Sequence, residues 1–369
     1  MRLRKIAFFC QKPVMHGMII AYQEMRNPSM IDFFELSPNE LEAQVQSLGM
    51  PRFRAAQILN WVYQKHVADF SLMRNISKPD QEALKAHLGF FLPETAHQYV
   101  SERDGTQRFV FRMRDGAMTE SVLLVHEKRR TVCISSQVGC ALGCTFCATG
   151  TLGFERNLAS SEIILQGWMI AQITGEKIQN VVFMGMGEPL LNFDAVMKAV
   201  QAFNEPRMFN LSIRRITLST VGVVAQMDRL AQQGLDVCLS VSLHAASNQI
   251  RDRLIPFNQT TTIEELIQGV KEYIQKTHRR VTIEYILIRD LNDSDEDAKA
   301  LAILLRGLKV NINVIPLNPV AHIAFEPSEP TRILAFSDLL RSYGHEVVLR
   351  REKGQDVQAA CGQLRRSLL

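Results

Sequence analysis

Hydrophobic and polar positions follow three successive rhythms along the chain. From Leu36 to Leu92 apolar residues recur at helical spacing. Ser37-Pro38-Asn39-Glu40 offers a serine cap with proline in the first turn, and Leu41, Val45 and Leu48 follow on one face. Gly49-Met50-Pro51 interrupts that helix, and Arg54, Ala55, Ile58, Leu59, Val62 and Tyr63 mark a second. Between Gln98 and Ser136 the period shortens. Gln107–Arg112, Thr119–Val125 and Thr131–Ser135 read as strands, the first two joined by a turn at Arg114-Asp115-Gly116. Farther on, apolar strands at Val181–Met184, Arg215–Leu218, Val237–Val241, Thr282–Ile286 and Val310–Val314 alternate with helices such as Ser160–Ile173 and Ile263–Lys276. That alternation predicts an α/β fold with a parallel sheet, either doubly wound or a barrel.

These rhythms divide the chain into a leader (1–32) expected to be poorly ordered, a helical domain (33–95), a strand connector (96–125), an α/β core (126–350) and a C-terminal segment (351–369). The short N-terminal helices carry Arg52, Arg54 and Lys65. They fit either a helix-hairpin-helix nucleic-acid module or an ordinary bundle with a solvated basic face, and the pattern alone does not choose.

Composition narrows the class. The chain has 369 residues, 46% apolar and 22% charged, enough for one large core or two domains. No apolar run is long enough to span a bilayer. The apolar stretch near the start is broken by Gln11, Lys12 and Pro13, so a secretory signal is not expected and the cytoplasm is. A net charge of +4 permits a nucleic-acid partner without demanding one. Lys128, Arg129, Arg130, Arg207, Arg214, Arg215, Arg350, Arg351 and Lys353 could hold phosphates, or simply be solvated.

The seven cysteines are too unevenly spread for a secreted disulfide framework. Cys10 and Cys238 read as small buried apolar residues. Cys140, Cys144 and Cys147 form C-x3-C-x2-C, flanked and interrupted by Gly139 and Gly143. Three thiolates at this spacing can hold three corners of a [4Fe–4S] cluster, leaving one iron without a protein ligand. A structural zinc would call for a second cysteine pair, which the sequence lacks.

The C-x3-C-x2-C motif followed by Ala148-Thr149-Gly150 resembles the radical S-adenosylmethionine (SAM) superfamily. Met184-Gly185-Met186-Gly187-Glu188-Pro189, at the end of the next strand, is similar to the superfamily's Gly-Gly-Glu-Pro-like motif. The resemblance implies a partial (β/α)6 TIM-like barrel, with SAM chelating the open iron. Ser242-Leu243-His244, Pro316-Leu317-Asn318-Pro319 and the tail Gly354–Leu364 resemble the RNA methyltransferases that modify carbon 2 of adenine in large-subunit ribosomal RNA and some transfer RNAs.

What that resemblance implies is specific. Gly187, Glu188, Ser219, Ser242, Leu243, His244 and Asn318 would contact SAM. Two SAM molecules would be used per turnover, one as methyl donor and one as radical source. Cys361 would take a methyl group on sulfur, a radical formed on that methyl would add to the adenine, and Glu120 would remove the ring proton. Cys133 would then attack the Cys361 sulfur, releasing product and leaving a disulfide. A flavodoxin-like electron donor and a monomeric state are expected by analogy. Carbon 2 lies between two ring nitrogens and is electron-poor, which is why radical rather than polar methyl transfer is needed. Two other readings stand beside this one: the relative that methylates carbon 8, and a non-catalytic iron–sulfur RNA-binding protein. The last has no use for an open iron beside a Gly-Glu-Pro strand end.

Overall fold

The computed structural model describes residues 30–127, 129–320, 323–350 and 353–364. Residues 1–29 of the expected leader, with Cys10, and the basic residues Lys128 and Arg351 lie outside the described residues.

Ser37 starts the first helix (Pro38–Ser47) through a reciprocal cap. Its hydroxyl accepts from the Glu40 N–H at 3.3 Å, and the Glu40 carboxylate accepts from the Ser37 N–H at 2.7 Å. A second helix (Phe53–Leu59) widens into a π turn at Asn60–Gln64, and a third spans Lys78–His87. Strands β1 (Ile31–Asp32) and β2 (Leu88–Gly89) pair in parallel and tie the ends of this helical unit together. Phe33, Phe34, Tyr63, Phe70 and Phe90 pack against one another inside it. Phe34 also meets Trp168 edge-on, and the Trp168 indole donates to the Val62 carbonyl at 2.8 Å. Trp168 belongs to helix Ser160–Thr174 of the following unit, so the helical unit and the barrel share one core.

A single ten-stranded sheet carries the rest. β3 (Glu94–Val100), β4 (Gln107–Arg112), β5 (Met118–His126) and β6 (Arg129–Cys133) form an antiparallel meander. The hairpin β7 (Gln137–Gly139) and β8 (Phe154–Asn157) stands apart from this sheet and brackets the cysteine loop. From β6 the sheet continues in parallel through β9 (Asn180–Phe183), β10 (Ile216–Thr220), β11 (Cys238–Ser242), β12 (Val281–Leu287), β13 (Val310–Pro316) and β14 (Val347–Leu349). Each parallel crossover carries a helix: Ser160–Thr174, Phe193–Asn204, Val224–Gln232, Ile263–Thr277, Asp295–Leu304 and Pro330–Ser342. β14 and β3 are the free edges, so the barrel is open.

The parallel strands are fully buried on the face that the crossover helices cover, while the face toward the barrel interior is largely half-buried. Val181, Leu218, Val241, Ile283, Tyr285, Ile312 and Val314 are fully inaccessible. Each such side chain contributes roughly 1.5–3 kcal/mol through the area it removes from water. Two features go beyond the periodicity. The connector strands extend the barrel sheet itself, and a short seventh parallel strand, β14, delivers the chain to the barrel mouth. Among the described residues no helix is long and apolar enough to cross a membrane.

Candidate active site

The chemistry gathers at the C-terminal ends of the parallel strands, where barrel enzymes build their sites from loops. The cysteine loop is held from both sides. The Cys140 N–H donates to the Gly153 carbonyl at 2.9 Å, and the Thr145 hydroxyl donates to the Arg253 carbonyl at 2.8 Å. Gly139 has φ 75°, and a Cβ there would lie 2.0 Å from the Gly153 oxygen, so only glycine fits. The three thiols line one cavity of about 160 Å³ with Gly187, Glu188, Ser219, Ser242, His244, Glu284, Arg350 and Cys361.

Those thiols suit a cluster. Burial pushes Cys140 up to about 12 and raises Cys144 further, so thiolates here need a positive partner, which iron supplies. Among the described residues no three His, Cys, Asp or Glu side chains converge on a single ion. A cubane asks for something different, one thiolate at each of three irons.

Glu188 follows β9 and reaches the base of the cavity. Its oxygens accept from the Val221 and Leu190 N–H groups, both at 3.0 Å. Burial nonetheless raises its pKa to about 7, opposed by those donors. Gly187 has φ 97°, and a Cβ there would fall 2.5 Å from that of Gln137, whose side chain accepts from the Glu188 N–H. His244, after β11, is buried with φ 60°. Its Nδ1 accepts from the Ile286 N–H at 3.1 Å, which assigns the ring proton to Nε2. Burial, with Arg251 nearby, depresses its pKa to about 3, so the ring is neutral.

A second cavity of about 140 Å³ adjoins the first. It is lined by Cys133, His126, Asn318, Lys353 and the tail residues Ala359–Gly362, and Cys361, Arg350 and Cys147 line both. Cys133 ends β6 and is paired in register with Val122 on β5 and Val182 on β9. Burial raises its thiol to about 12. The tail is strapped across the barrel mouth. The Ala148 N–H donates to the Gly362 carbonyl at 2.7 Å and the Thr149 hydroxyl to the Leu364 carbonyl at 2.6 Å. Asp356 accepts from the Ser101 hydroxyl at 2.8 Å. Cys361 is exposed at this junction, and both it and Cys133 are free thiols.

Three expected site residues lie elsewhere than their expected roles suggest. Asn318 spends its amide on the tail, donating to the Cys361 carbonyl at 3.1 Å and accepting from Gln355 at 3.0 Å. The Leu243 side chain is in the core, and only its backbone meets the site's framework. Glu120 is buried in β5 in an ion pair with Arg108 at 3.1 Å and lines neither cavity. It does share the β5 face of Val122, which packs against Cys133. Of the basic residues proposed for phosphates, Arg207 bridges Glu42 and Glu205, and Arg130 pairs with Glu176.

Two residues were missed. Arg251 is fully buried and donates to the carbonyls of Leu243 and Val221 and to Asn258, tying together the loops after β10 and β11. Glu284 sits within the apolar strand Val281–Leu287, and a charged residue in a strand buried on both faces was the available signal.

An open parallel barrel with three neighbouring thiols and a Gly-Glu turn at its mouth defines a radical SAM enzyme. A family model of the Radical SAM superfamily matches residues 134–302, and one described as the ribosomal RNA large subunit methyltransferase N-terminal domain matches residues 31–89. The "Probable dual-specificity RNA methyltransferase RlmN" of Thermotoga neapolitana is 48% identical over 336 residues, 91% of this chain and 98% of that relative. That of Clostridium beijerinckii is 42% identical over 340 residues, 92% and 96% of the two chains. A crystal structure of a radical SAM methyltransferase from Sphaerobacter thermophilus superposes with a TM-score of 0.87 at 41% identity, covering 91% of this chain and 99% of the other. The chain belongs to the RlmN family of radical SAM RNA methyltransferases.

Proposed function

We propose that this protein methylates carbon 2 of an adenine in large-subunit ribosomal RNA and in transfer RNA, working in the cytoplasm with Cys361 as carbon carrier. The observation that carries the reading is the position of Cys361 at the junction of two cavities, one lined by the cluster thiols and the other by Cys133. The relatives' names support an RNA substrate with two specificities.

Cys140, Cys144 and Cys147 would hold the cluster, and Gly187, Glu188, Ser219, Ser242 and His244 would surround SAM. Bound there, cluster and SAM supply an electron, a methyl group and a hydrogen-abstracting carbon radical, with two SAM molecules used per turnover. The protein's own part is to carry and release carbon. The Cys361 sulfur accepts the methyl group in the first cavity and presents it to an adenine in the second. The base must leave its stack to arrive there. Glu120 accepts the adenine C2 proton once the carbon bond has formed. For this role Glu120 must reach past its Arg108 partner toward the Cys133 side of β5. The Cys133 sulfur then attacks the Cys361 sulfur. The bond from that sulfur to the product carbon breaks with its electron pair staying on carbon, which takes up a proton to become the methyl group, leaving a Cys133–Cys361 disulfide for reduction. A flavodoxin-like donor would feed electrons, and the enzyme would act as a monomer.

The test is anaerobic turnover of the cluster-loaded protein with SAM, reductant and a ribosomal RNA fragment, read by nucleoside mass spectrometry. Formation of 2-methyladenosine, lost in Cys361→Ala, is the expected result. Turnover that survives in Cys361→Ala would overturn the carrier mechanism, and 8-methyladenosine alone would overturn the regiochemistry.

A further inference from the structure

The Cys361 sulfur begins as a thiol, and methylation must release its proton. The bonds balance simply. The S–H bond of Cys361 breaks and an S–CH3 bond forms. The methyl–sulfur bond of the SAM sulfonium breaks with its electron pair returning to that sulfur, which leaves as the neutral thioether S-adenosylhomocysteine. One proton is left over, and it needs an acceptor.

Glu284 is the group with room for it. Its side chain is 3% exposed in the middle of β12 and lines the same cavity as Cys361. Oε1 accepts from Asn313 at 3.0 Å and lies 3.7 Å from the Arg350 guanidinium. Oε2 is buried with no hydrogen-bond partner among the described residues. A buried carboxylate oxygen with no donor is costly in a folded protein and is the kind of group retained for a task.

The other ionisable walls of this cavity are already committed, and of the groups that share the second cavity with Cys361, Lys353 donates to the Val125 carbonyl, burial keeps the proton on Cys133, and burial lowers the His126 pKa. Both Glu188 oxygens are held by backbone N–H groups. The His244 Nδ1 accepts from Ile286, and its depressed pKa leaves it a poor base. Arg350 lines both cavities beside Cys361 and can only donate. Burial raises the Glu284 pKa, against the pull of Arg350, Asn313 and the Ser240 hydroxyl. It therefore holds a proton more readily than an exposed carboxylate. Crowding by protein likewise raises the Cys361 thiol, with Arg350 opposing that shift and Glu284 adding to it.

We infer that Glu284 is the base that takes the proton from the Cys361 thiol as its sulfur accepts the methyl group, with Arg350 holding the sulfur while it bears negative charge. This rests on Cys361 being the methyl acceptor, and it adds the proton's destination. Arg350 thereby acquires a role distinct from holding RNA phosphate. The ion pair becomes a proton-linked unit: once Glu284 is protonated, Arg350 loses its counterion.

The experiment uses cluster-loaded protein with SAM and no RNA, following the mass of the Cys361 peptide with time between pH 6 and 9. A parallel series follows iodoacetamide alkylation of the same peptide, which needs no turnover. SAM affinity is measured alongside. In Glu284→Gln methylation should slow by roughly 100-fold near neutral pH and recover as pH rises, since hydroxide replaces the missing base, whereas alkylation should not slow, because a negative charge has been removed from beside the thiol. SAM affinity should be unchanged, and Glu284→Asp should restore part of the rate. Equal methylation rates in wild type and Glu284→Gln across the range, or a 100-fold loss of alkylation as well, would overturn the inference. A slowing by the same factor at every pH, or one that follows weakened SAM binding, would also overturn it, making Glu284 a positioning residue. A wild-type Cys361 that never gains a methyl group would instead defeat the carrier mechanism on which the inference rests.

Discussion

Two carboxylates face the same cavity and are treated oppositely by the fold. Glu188, at the β9 end, is a buried carboxyl group with one backbone N–H aimed at each oxygen. Glu284, midway along β12, has a side-chain amide and a distant guanidinium at one oxygen and, among the described residues, no hydrogen-bond partner at the other. Both are nearly inaccessible, and burial raises the pKa of both. Backbone donors cannot be moved by a change of side chain, so the β9 end is a fixed receptor. An unpaired oxygen is free to change its protonation, so the β12 wall is a reactive surface. Burial alone does not separate a binding carboxylate from a working one. The donors around it do.

The contrast would break most severely at Arg251, which holds up the Glu188 side of the cavity. Its guanidinium donates to the Val221 carbonyl at 2.6 Å, and the N–H of that same residue donates to Glu188. Burial lowers the Arg251 pKa to about 10, so the side chain remains charged and needs all its acceptors. Arg251→Met removes hydrogen bonds to at least three carbonyl or amide oxygens that are closed off from water. Thermal or denaturant unfolding should show a loss of about 3–5 kcal/mol, with SAM affinity falling as well. A variant as stable as wild type would mean that water satisfies those loops and that Glu188 is not held from behind.

Glu188→Gln comes next. An amide can accept from one of the two N–H groups but turns its own NH2 toward the other, at a cost of about 2 kcal/mol. The pH dependence has a definite sign. Because the folded pKa is raised from 4.5 to about 7, the wild-type contribution is fully present below pH 4.5 and is lost as pH rises through 7. The glutamine has no such titration. The stability gap between the two should therefore narrow from pH 5 to pH 8. A gap that widened instead would show that the two donors outweigh burial.

Glu284→Gln should behave in the opposite way, with unfolding at pH 8 unchanged or shifted up by about 1 kcal/mol. The amide can keep its oxygen on Asn313 and leave its NH2 in the cavity where Oε2 had no partner. The cost is the weak attraction to Arg350, which is partly exposed. A clear loss of stability would mean that Oε2 is served by water and is not idle.

How much of this was legible in the sequence depended on how local each feature was. The capping box at Ser37, the cysteine loop and Gly187-Glu188 each lie within a few residues, so a short stretch of sequence locates each, and the capping box took the form its spacing implied. The parallel strands were legible because each carries its own apolar run. That Cys133 and Cys361 line one cavity was legible only through family resemblance, since β6 and the tail are joined by the whole barrel. Asn318 was expected to contact SAM, yet its amide is spent on Cys361 and Gln355, partners fixed by how the tail folds back. Arg251 and Glu284 were overlooked for a related reason. A charge among apolar neighbours shows that something must satisfy it, and only three dimensions show what does.

The smallest effect should come from Arg207, far from both carboxylates. It joins Glu42 of the first helix to Glu205 after helix Phe193–Asn204, and it is 40% exposed as a side chain. Screening by water leaves such a pair with little net energy, so Arg207→Ala should shift stability by less than about 1 kcal/mol. The joint between the helical unit and the barrel rests instead on buried contacts, with Trp168 donating to Val62 and stacking edge-on against Phe34. RNA affinity supplies the second reading. If Arg207 serves only the joint, its loss should leave RNA binding and its salt dependence unchanged. A lower salt slope in Arg207→Ala would return it to the phosphate-holding set. The ion pair with Glu42 would then be a resting arrangement that RNA replaces.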